Sequence, residues 1–132
     1  MTEIKKITKI SLLVLCVLNF IFGILTLFLY DLFVAPLTGW TNPLHPRVLG
    51  GVMFIISIFA IILIRKKEWE EIKLTYTLIY SLLLPTILVE LVIMATMGST
   101  FSAALLSQMF LDQILMWIMF VLGIFSYYKQ RG

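Results

Sequence analysis

The amino-acid sequence predicts an all-α membrane protein, an antiparallel bundle of four transmembrane helices with both termini in the cytoplasm. Its 132 residues are 61% hydrophobic and only 13% charged, with a mean hydropathy of +1.07. Soluble domains are about 45–50% apolar and about 25% charged. Short polar segments separate four apolar runs, each close to the roughly 20 residues that cross a bilayer. The chain is too short for two such bundles, so a single domain is predicted over residues 1–132.

The basic residues indicate the topology. Nine of the ten Lys and Arg residues flank the predicted spans on one side, and only Arg47 lies on the other. Because cytoplasmic loops carry the excess of Lys and Arg, the N terminus, the second connection and the C terminus are predicted in the cytoplasm of a multi-pass cell-membrane protein. The net charge of +3 then reflects topology, and no nucleic-acid partner is predicted. The nine are Lys5, Lys6, Lys9, Arg65, Lys66, Lys67, Lys73, Lys129 and Arg131.

The first span is predicted over residues 10–30. Asn19, Gly23 and Thr26 fall on one face at helical spacing, and small or weakly polar residues on a face favour close packing against another helix. The alternative is that Asn19 reaches the bundle interior near Asp112.

An external segment over residues 31–46 follows the first span. Three prolines and Gly39 in this segment exclude a regular helix throughout. Its apolar residues, Trp40 among them, predict an anchor in the membrane interface. The alternative is a lid over the mouth of the bundle.

The second span is predicted over residues 47–64. Pro46 immediately precedes it and suits the first turn of a helix. Arg47 lies at the outer boundary and is interpreted as reaching lipid phosphates. The alternative is an Arg47–Glu90 pair that closes the outer end of the bundle.

A charged cytoplasmic connection leads into the third span, residues 74–97. Pro85 lies inside this span and predicts a kink near residues 81–82, because proline interrupts a helical hydrogen bond. The connection Gly98–Thr100 is short enough only for a tight turn. The fourth span, residues 101–126, is therefore predicted to be the antiparallel neighbour of the third.

Two acids lie inside this last hairpin, Glu90 and Asp112. At about 1.5 Å per residue, Glu90 lies ~10 Å and Asp112 ~16 Å from the turn. Mirroring the hairpin about Ser99 places Gln108 level with Glu90. An ionised acid facing lipid would cost about 2.5–3.5 kcal/mol or more, so both carboxyl groups are predicted to face the bundle interior.

These positions predict an intramembrane polar site. Glu90 and Asp112 are also the candidates for a catalytic pair. The single Cys16 and the single His45 exclude an internal disulfide and bis-His haem ligation within one chain, and they leave too few ligands for an ordinary zinc site. No metal and no cofactor are therefore predicted. The predicted ligand-binding residues are Asn19, Arg47, Glu90, Gln108 and Asp112.

The layout resembles the DoxX-like superfamily of small four-helix membrane proteins. The matching features are a first span that ends in NFIFGILTLF, a loop with Trp40 and prolines, the sequence PRVLGGVMFIIS at the start of the second span, and a charged turn with Trp69. The layout covers nearly the whole chain, and the motif covers residues 46–51. Some members are associated with quinone-linked oxidoreductase complexes, but no residue here carries a redox role over.

Three functions are open from the sequence alone. The favoured one is a protein that binds a hydrophobic ligand or serves as an accessory subunit, since four helices can enclose an apolar pocket with a few polar groups. The second is a membrane-embedded acid–base enzyme of the isomerase type, acting on a lipid-soluble substrate through Glu90 and Asp112. The third is a proton-coupled transporter of small molecules that works as a homodimer. The predicted partners are the lipid bilayer, a lipid-soluble small molecule, and either a subunit of a membrane complex or a second copy of the chain.

Overall fold

The structure, a computed structural model, describes residues 2–39 and 42–132, and over this part the chain is helical, with one isolated β-bridge and no strand. Four stretches are long and apolar enough to cross a membrane. They are Lys6–Leu27, Leu44–Ile64, Trp69–Thr100 and Ala103–Arg131. The prediction of a small, all-helical, multi-pass membrane protein is confirmed at this level.

The helices in chain order are six. They are α1 (Lys6–Leu27), α2 (Ala35–Thr38), α3 (Leu44–Ile64), α4 (Trp69–Ser81), α5 (Leu83–Met97) and α6 (Ala103–Arg131). Three of the four long stretches begin or end several residues beyond the predicted spans on their basic sides, because Lys and Arg lengthen a helix while their charged ends reach water. An apolar run therefore marks the buried depth of a membrane helix and not its ends.

Large apolar side chains are exposed along all the long helices. Phe28 is 63% exposed, Leu74 is 84% exposed and Phe110 is 58% exposed. Exposed apolar surface of this extent marks contact with a membrane or a protein partner. It agrees with helices whose outer faces lie in lipid.

The chain divides into two compact units. Unit 1 comprises the chain up to Ser11 together with Glu68–Gly132, and unit 2 comprises Leu12–Lys67. The single four-helix domain stays a prediction.

In unit 2, α1 and α3 pack through small residues. A Cβ atom built on Gly23 would lie 3.1 Å from the carbonyl oxygen of Gly50, and one built on Gly50 would overlap the side chain of Thr26. Ser57 Oγ donates a hydrogen bond of 3.0 Å to the carbonyl oxygen of Cys16. The predicted packing role of the small-residue face of the first helix is confirmed.

The external segment of unit 2 contains more helix than its prolines suggested. One turn of π-helix spans Tyr30–Val34 and passes into α2, which ends at Gly39 with a φ of 66°. Glycine adopts this left-handed conformation without strain. Helix α3 begins at Leu44, so that Pro46 lies within its first turn. Trp40, a predicted anchor, lies outside the described residues.

In unit 1, the start of the chain is fastened to the start of α4 and to the end of α6. The backbone N–H of Trp69 donates to the carbonyl oxygen of Thr2 at 2.8 Å. Gln130, 1% exposed, accepts from the backbone N–H of Lys5 at 2.8 Å and donates to the carbonyl oxygen of Glu3 at 2.8 Å. We call this group of contacts the terminal clasp.

The third membrane stretch is interrupted where proline predicts it. Helix α4 ends at Ser81 and α5 begins at Leu83, with Leu82 between them in a turn. Pro85 lies one turn later and has no N–H to bond the carbonyl of Ser81. The predicted kink is confirmed, and it separates the part of the hairpin near the clasp from the part that carries Glu90.

Candidate functional site

A buried hydroxyl network in unit 1 fixes α4 against α6. Tyr76 Oη donates to the carbonyl oxygen of Gly123 at 2.9 Å and hydrogen-bonds the hydroxyl of Ser126. Ser11, on the first turns of α1, lies 3.4 Å from Tyr76 Oη and hydrogen-bonds the hydroxyl of Tyr80. All five residues are buried. Because every hydroxyl in the network has a partner, we interpret it as a structural lock.

Aromatic rings surround this network near the clasp. The ring of Trp69 lies 5.3 Å from that of Tyr76 and 5.4 Å from that of Tyr127, both edge to face. Such pairs add about 0.5–1.5 kcal/mol beyond the area they bury. The lock and its rings set the register in which α5 and α6 continue away from the clasp.

Further along the hairpin, Glu90 is bonded across the helices by Gln113. Gln113 Nε2 donates to Glu90 Oε2 at 2.7 Å and to the carbonyl oxygen of Ile87 at 3.2 Å. Gln113 is 5% exposed, whereas Glu90 is half-buried. Since Tyr76 contacts Gly123 and Glu90 contacts Gln113, later residues of α4–α5 meet earlier residues of α6, which is the register of an antiparallel hairpin.

The partners of Gln113 determine which way its amide points. Both groups beside its nitrogen, a carboxylate oxygen and a backbone carbonyl, only accept hydrogen bonds, so the NH₂ must face them. The amide oxygen Oε1 is then directed elsewhere. It is buried and has no hydrogen-bond partner among residues 2–39 and 42–132. A buried acceptor without a donor costs about 1–3 kcal/mol, which singles out this atom as a point where a ligand is expected.

Asp112 lies beside this pair on α6. Gln108 Nε2 donates to Asp112 Oδ1 at 2.8 Å, which confirms that the two share one helical face. Asp112 is half-buried and close enough to Glu90 for the two carboxylate charges to repel each other. Within the described part of the chain, neither carboxylate forms an ion pair. We call Glu90, Gln113, Asp112 and Gln108 the carboxyl–carboxamide cluster.

The expectation that Gln108 lies level with Glu90 was wrong. The carboxamide that meets Glu90 belongs to Gln113, because the hairpin does not turn symmetrically about Ser99. The connection is a 3₁₀ turn over Gly98–Thr100, after which Ser102 caps α6 by accepting a 3.2 Å hydrogen bond from the N–H of Leu105. Helix α6 therefore starts later, and its residues are displaced along α5.

Two of the predicted ligand-binding residues belong to unit 2. Arg47 pairs with a carboxylate that the sequence analysis did not consider, with Nη2 3.3 Å from Asp31 Oδ2. The Arg47 guanidinium also lies 5.8 Å from the ring centre of Tyr30. Asn19, 2% exposed, donates to the carbonyl oxygen of Leu15 in its own helix at 2.9 Å.

The remaining three predicted residues are Glu90, Gln108 and Asp112, which the structure brings together in unit 1. Sequence reasoning missed Gln113, which joins them. Its signal was present as an uncharged polar residue inside an apolar run, directly after Asp112. Only the true register of the hairpin makes that signal readable.

Comparisons with protein-family models, with curated proteins and with solved structures return no match for this chain. The resemblance to the DoxX-like superfamily accordingly stays a prediction. The functional argument therefore depends on the geometry of the carboxyl–carboxamide cluster.

Proposed function

We propose that this protein is a single antiparallel four-helix membrane bundle with both termini in the cytoplasm, and that it binds a lipid-soluble molecule at the carboxyl–carboxamide cluster. The single observation that carries the binding function is the buried, unpartnered Oε1 of Gln113 beside the half-buried carboxyl of Glu90.

The topology is supported by the terminal clasp. In unit 1, the start of the chain contacts the start of α4 and the end of α6. The segments that carry Lys5, Lys73 and Lys129 therefore belong on one side of the membrane. This agrees with the side on which the positive-inside rule places Lys and Arg.

Binding is supported by the cost of polar groups inside a membrane. Ionisable residues in transmembrane helices are expensive to keep there and are usually functional. The sites that bind small molecules are mostly apolar, with a few polar groups that fix orientation. Glu90 and Asp112 each have a carboxamide partner, while the half-buried carboxyl groups are within reach of molecules dissolved in the bilayer.

The first test is extraction of what the purified protein retains. We expect wild-type protein in a mild uncharged detergent to carry one lipid-soluble molecule per chain, measured by solvent extraction and mass spectrometry. Glu90→Gln and Gln113→Leu should each reduce retention at least about tenfold, since a hydrogen bond to a charged group contributes about 1.5–3 kcal/mol.

Thr96→Val is the matched control for this test. Thr96 is exposed on α5, and its hydroxyl donates only to the carbonyl oxygen of Val92 in the same helix at 2.7 Å. Its retention should equal that of the wild type. Retention that is absent in wild-type protein, or equal in all four proteins, would reject the binding function.

An acid–base enzyme is the second candidate, favoured by the proximity of the two carboxyl groups. In that case Glu90→Gln and Asp112→Asn should each abolish conversion of the retained molecule without releasing it. Recovery of unaltered molecule from all variants and from the wild type would argue against turnover.

A further inference from the structure

The orientation of the Gln113 amide restricts the chemistry of the ligand. Its nitrogen is occupied by Glu90 and Ile87, so the side that it presents to a ligand is the acceptor Oε1. A carboxylate also only accepts hydrogen bonds. The ligand must therefore supply hydrogen-bond donors.

The charge of the cluster restricts the ligand further. Glu90 and Asp112 repel each other, and no Lys, Arg or His of the described residues forms an ion pair with either one. Buried charges in proteins are normally paired. A ligand with a positive charge would relieve both the repulsion and the missing pairing.

The surroundings of the cluster restrict the rest of the ligand. Leu91 and Ile114 follow Glu90 and Gln113 directly in the chain, and they are 40% and 56% exposed. These side chains offer an apolar surface beside the polar pair. A ligand that reaches the cluster from the bilayer would carry an apolar chain against that surface.

We propose that the Glu90–Gln113 pair binds a protonated aliphatic amine that carries an apolar chain. One N–H of the ammonium group donates to Gln113 Oε1 and another donates to the carboxylate of Glu90. The inference deepens the proposed function and depends on it. Quinones offer only acceptor oxygens and are disfavoured, and quaternary ammonium ions carry the charge without an N–H.

Three probes with the same twelve-carbon chain separate charge from donor capacity. Dodecylammonium has both, dodecyltrimethylammonium has the charge alone, and dodecanol has the donor alone. Binding is measured by isothermal titration calorimetry with the full-length protein in an uncharged detergent near pH 7.5. We expect dodecylammonium to bind at least about tenfold more tightly than either of the other two, the factor that corresponds to one charge-assisted hydrogen bond.

Variants assign this preference to particular atoms. Gln113→Leu should reduce the affinity for dodecylammonium to that for dodecyltrimethylammonium, and Glu90→Gln should weaken the binding of both cations. Gln108→Leu is the matched control, because this glutamine lies on the same helix and its amide donates to Asp112. It should leave the difference between the two cations in place.

Each outcome has a defined meaning. Equal affinities for the three probes, or a preference for dodecylammonium that survives in Gln113→Leu, would overturn the inference. Tighter binding of dodecanol that depends on Glu90 would overturn it as well, while leaving a site for lipid-soluble molecules intact. Failure of every probe to bind, together with the absence of any retained molecule in the wild type, would overturn both the inference and the proposed function.

Discussion

At the scale of single residues, the two carboxyl groups were predictable and their partner was not. An acid inside an apolar run stands out in any sequence because its burial is costly. Gln113 carries no charge, and its importance comes only from facing Glu90 across the hairpin. Arg47 illustrates the same limit, since its pairing with Asp31 depends on how the external segment folds.

The hydroxyl lock gives a prediction at the residue scale. Tyr76→Phe removes the hydroxyl that bonds Gly123, Ser126 and Ser11. We expect the variant to lose about 1–2 kcal/mol of unfolding free energy, because buried hydroxyl groups lose their partner. Reversible unfolding in mixed detergent micelles measures the change.

The control for this variant lies one residue away. Thr77 is exposed, and its hydroxyl donates to the carbonyl oxygen of Lys73 in its own helix at 2.8 Å. Thr77→Val should change the free energy of unfolding by less than about 0.5 kcal/mol. A loss at Thr77 as large as that at Tyr76 would mean that the buried network does not stabilise the protein.

At the scale of elements, proline and glycine made parts of the fold predictable. Pro85 predicted the interruption at Leu82 because a missing N–H is a local property of the sequence. Gly23 predicted close helix packing for the same kind of reason. The register of α6 was not predictable, because it depends on whether the connection is a tight turn alone or a 3₁₀ turn followed by a capped start.

Glycine at position 123 gives a prediction at the element scale. A Cβ atom there would overlap the ring of Tyr80, whose hydroxyl belongs to the lock. Gly123→Ala should therefore lower the unfolding free energy by about 1–3 kcal/mol, the usual cost of overpacking. The melting temperature in detergent should fall accordingly.

Gly51→Ala is the matched control, since a Cβ atom built on Gly51 meets nothing within 4 Å. Alanine is a better helix former than glycine by about 1 kcal/mol, so this variant should be neutral or slightly more stable. If Gly123→Ala were equally neutral, the packing of Tyr80 against α6 would be refuted.

At the scale of the whole molecule, composition and charge distribution identified a multi-pass helical membrane protein. These properties are averages over many residues, so they tolerate errors of several residues at each helix end. The side of the membrane on which each terminus lies depends on the same averages. It can be tested with the chain's single cysteine, Cys16, replaced by serine to give a background without thiols.

New cysteines report the topology from that background. Thr2→Cys and Gly132→Cys lie at exposed positions near the two termini, and Asn42→Cys lies at an exposed position in the external segment. We expect a membrane-impermeant maleimide applied outside intact cells to label only Asn42→Cys. Labelling of either terminal cysteine before the cells are opened would contradict the proposed topology.

The most direct test of the account is a double-mutant cycle between Glu90 and Gln113. The free energies of unfolding of Glu90→Gln, Gln113→Leu and the double variant are compared with that of the wild type, and the same cycle is run with Gln108→Leu. The account predicts a coupling energy of about 1 kcal/mol between Glu90 and Gln113 and a much smaller one between Glu90 and Gln108. Coupling to Gln108 in place of Gln113 would contradict the register of the hairpin and, with it, the site.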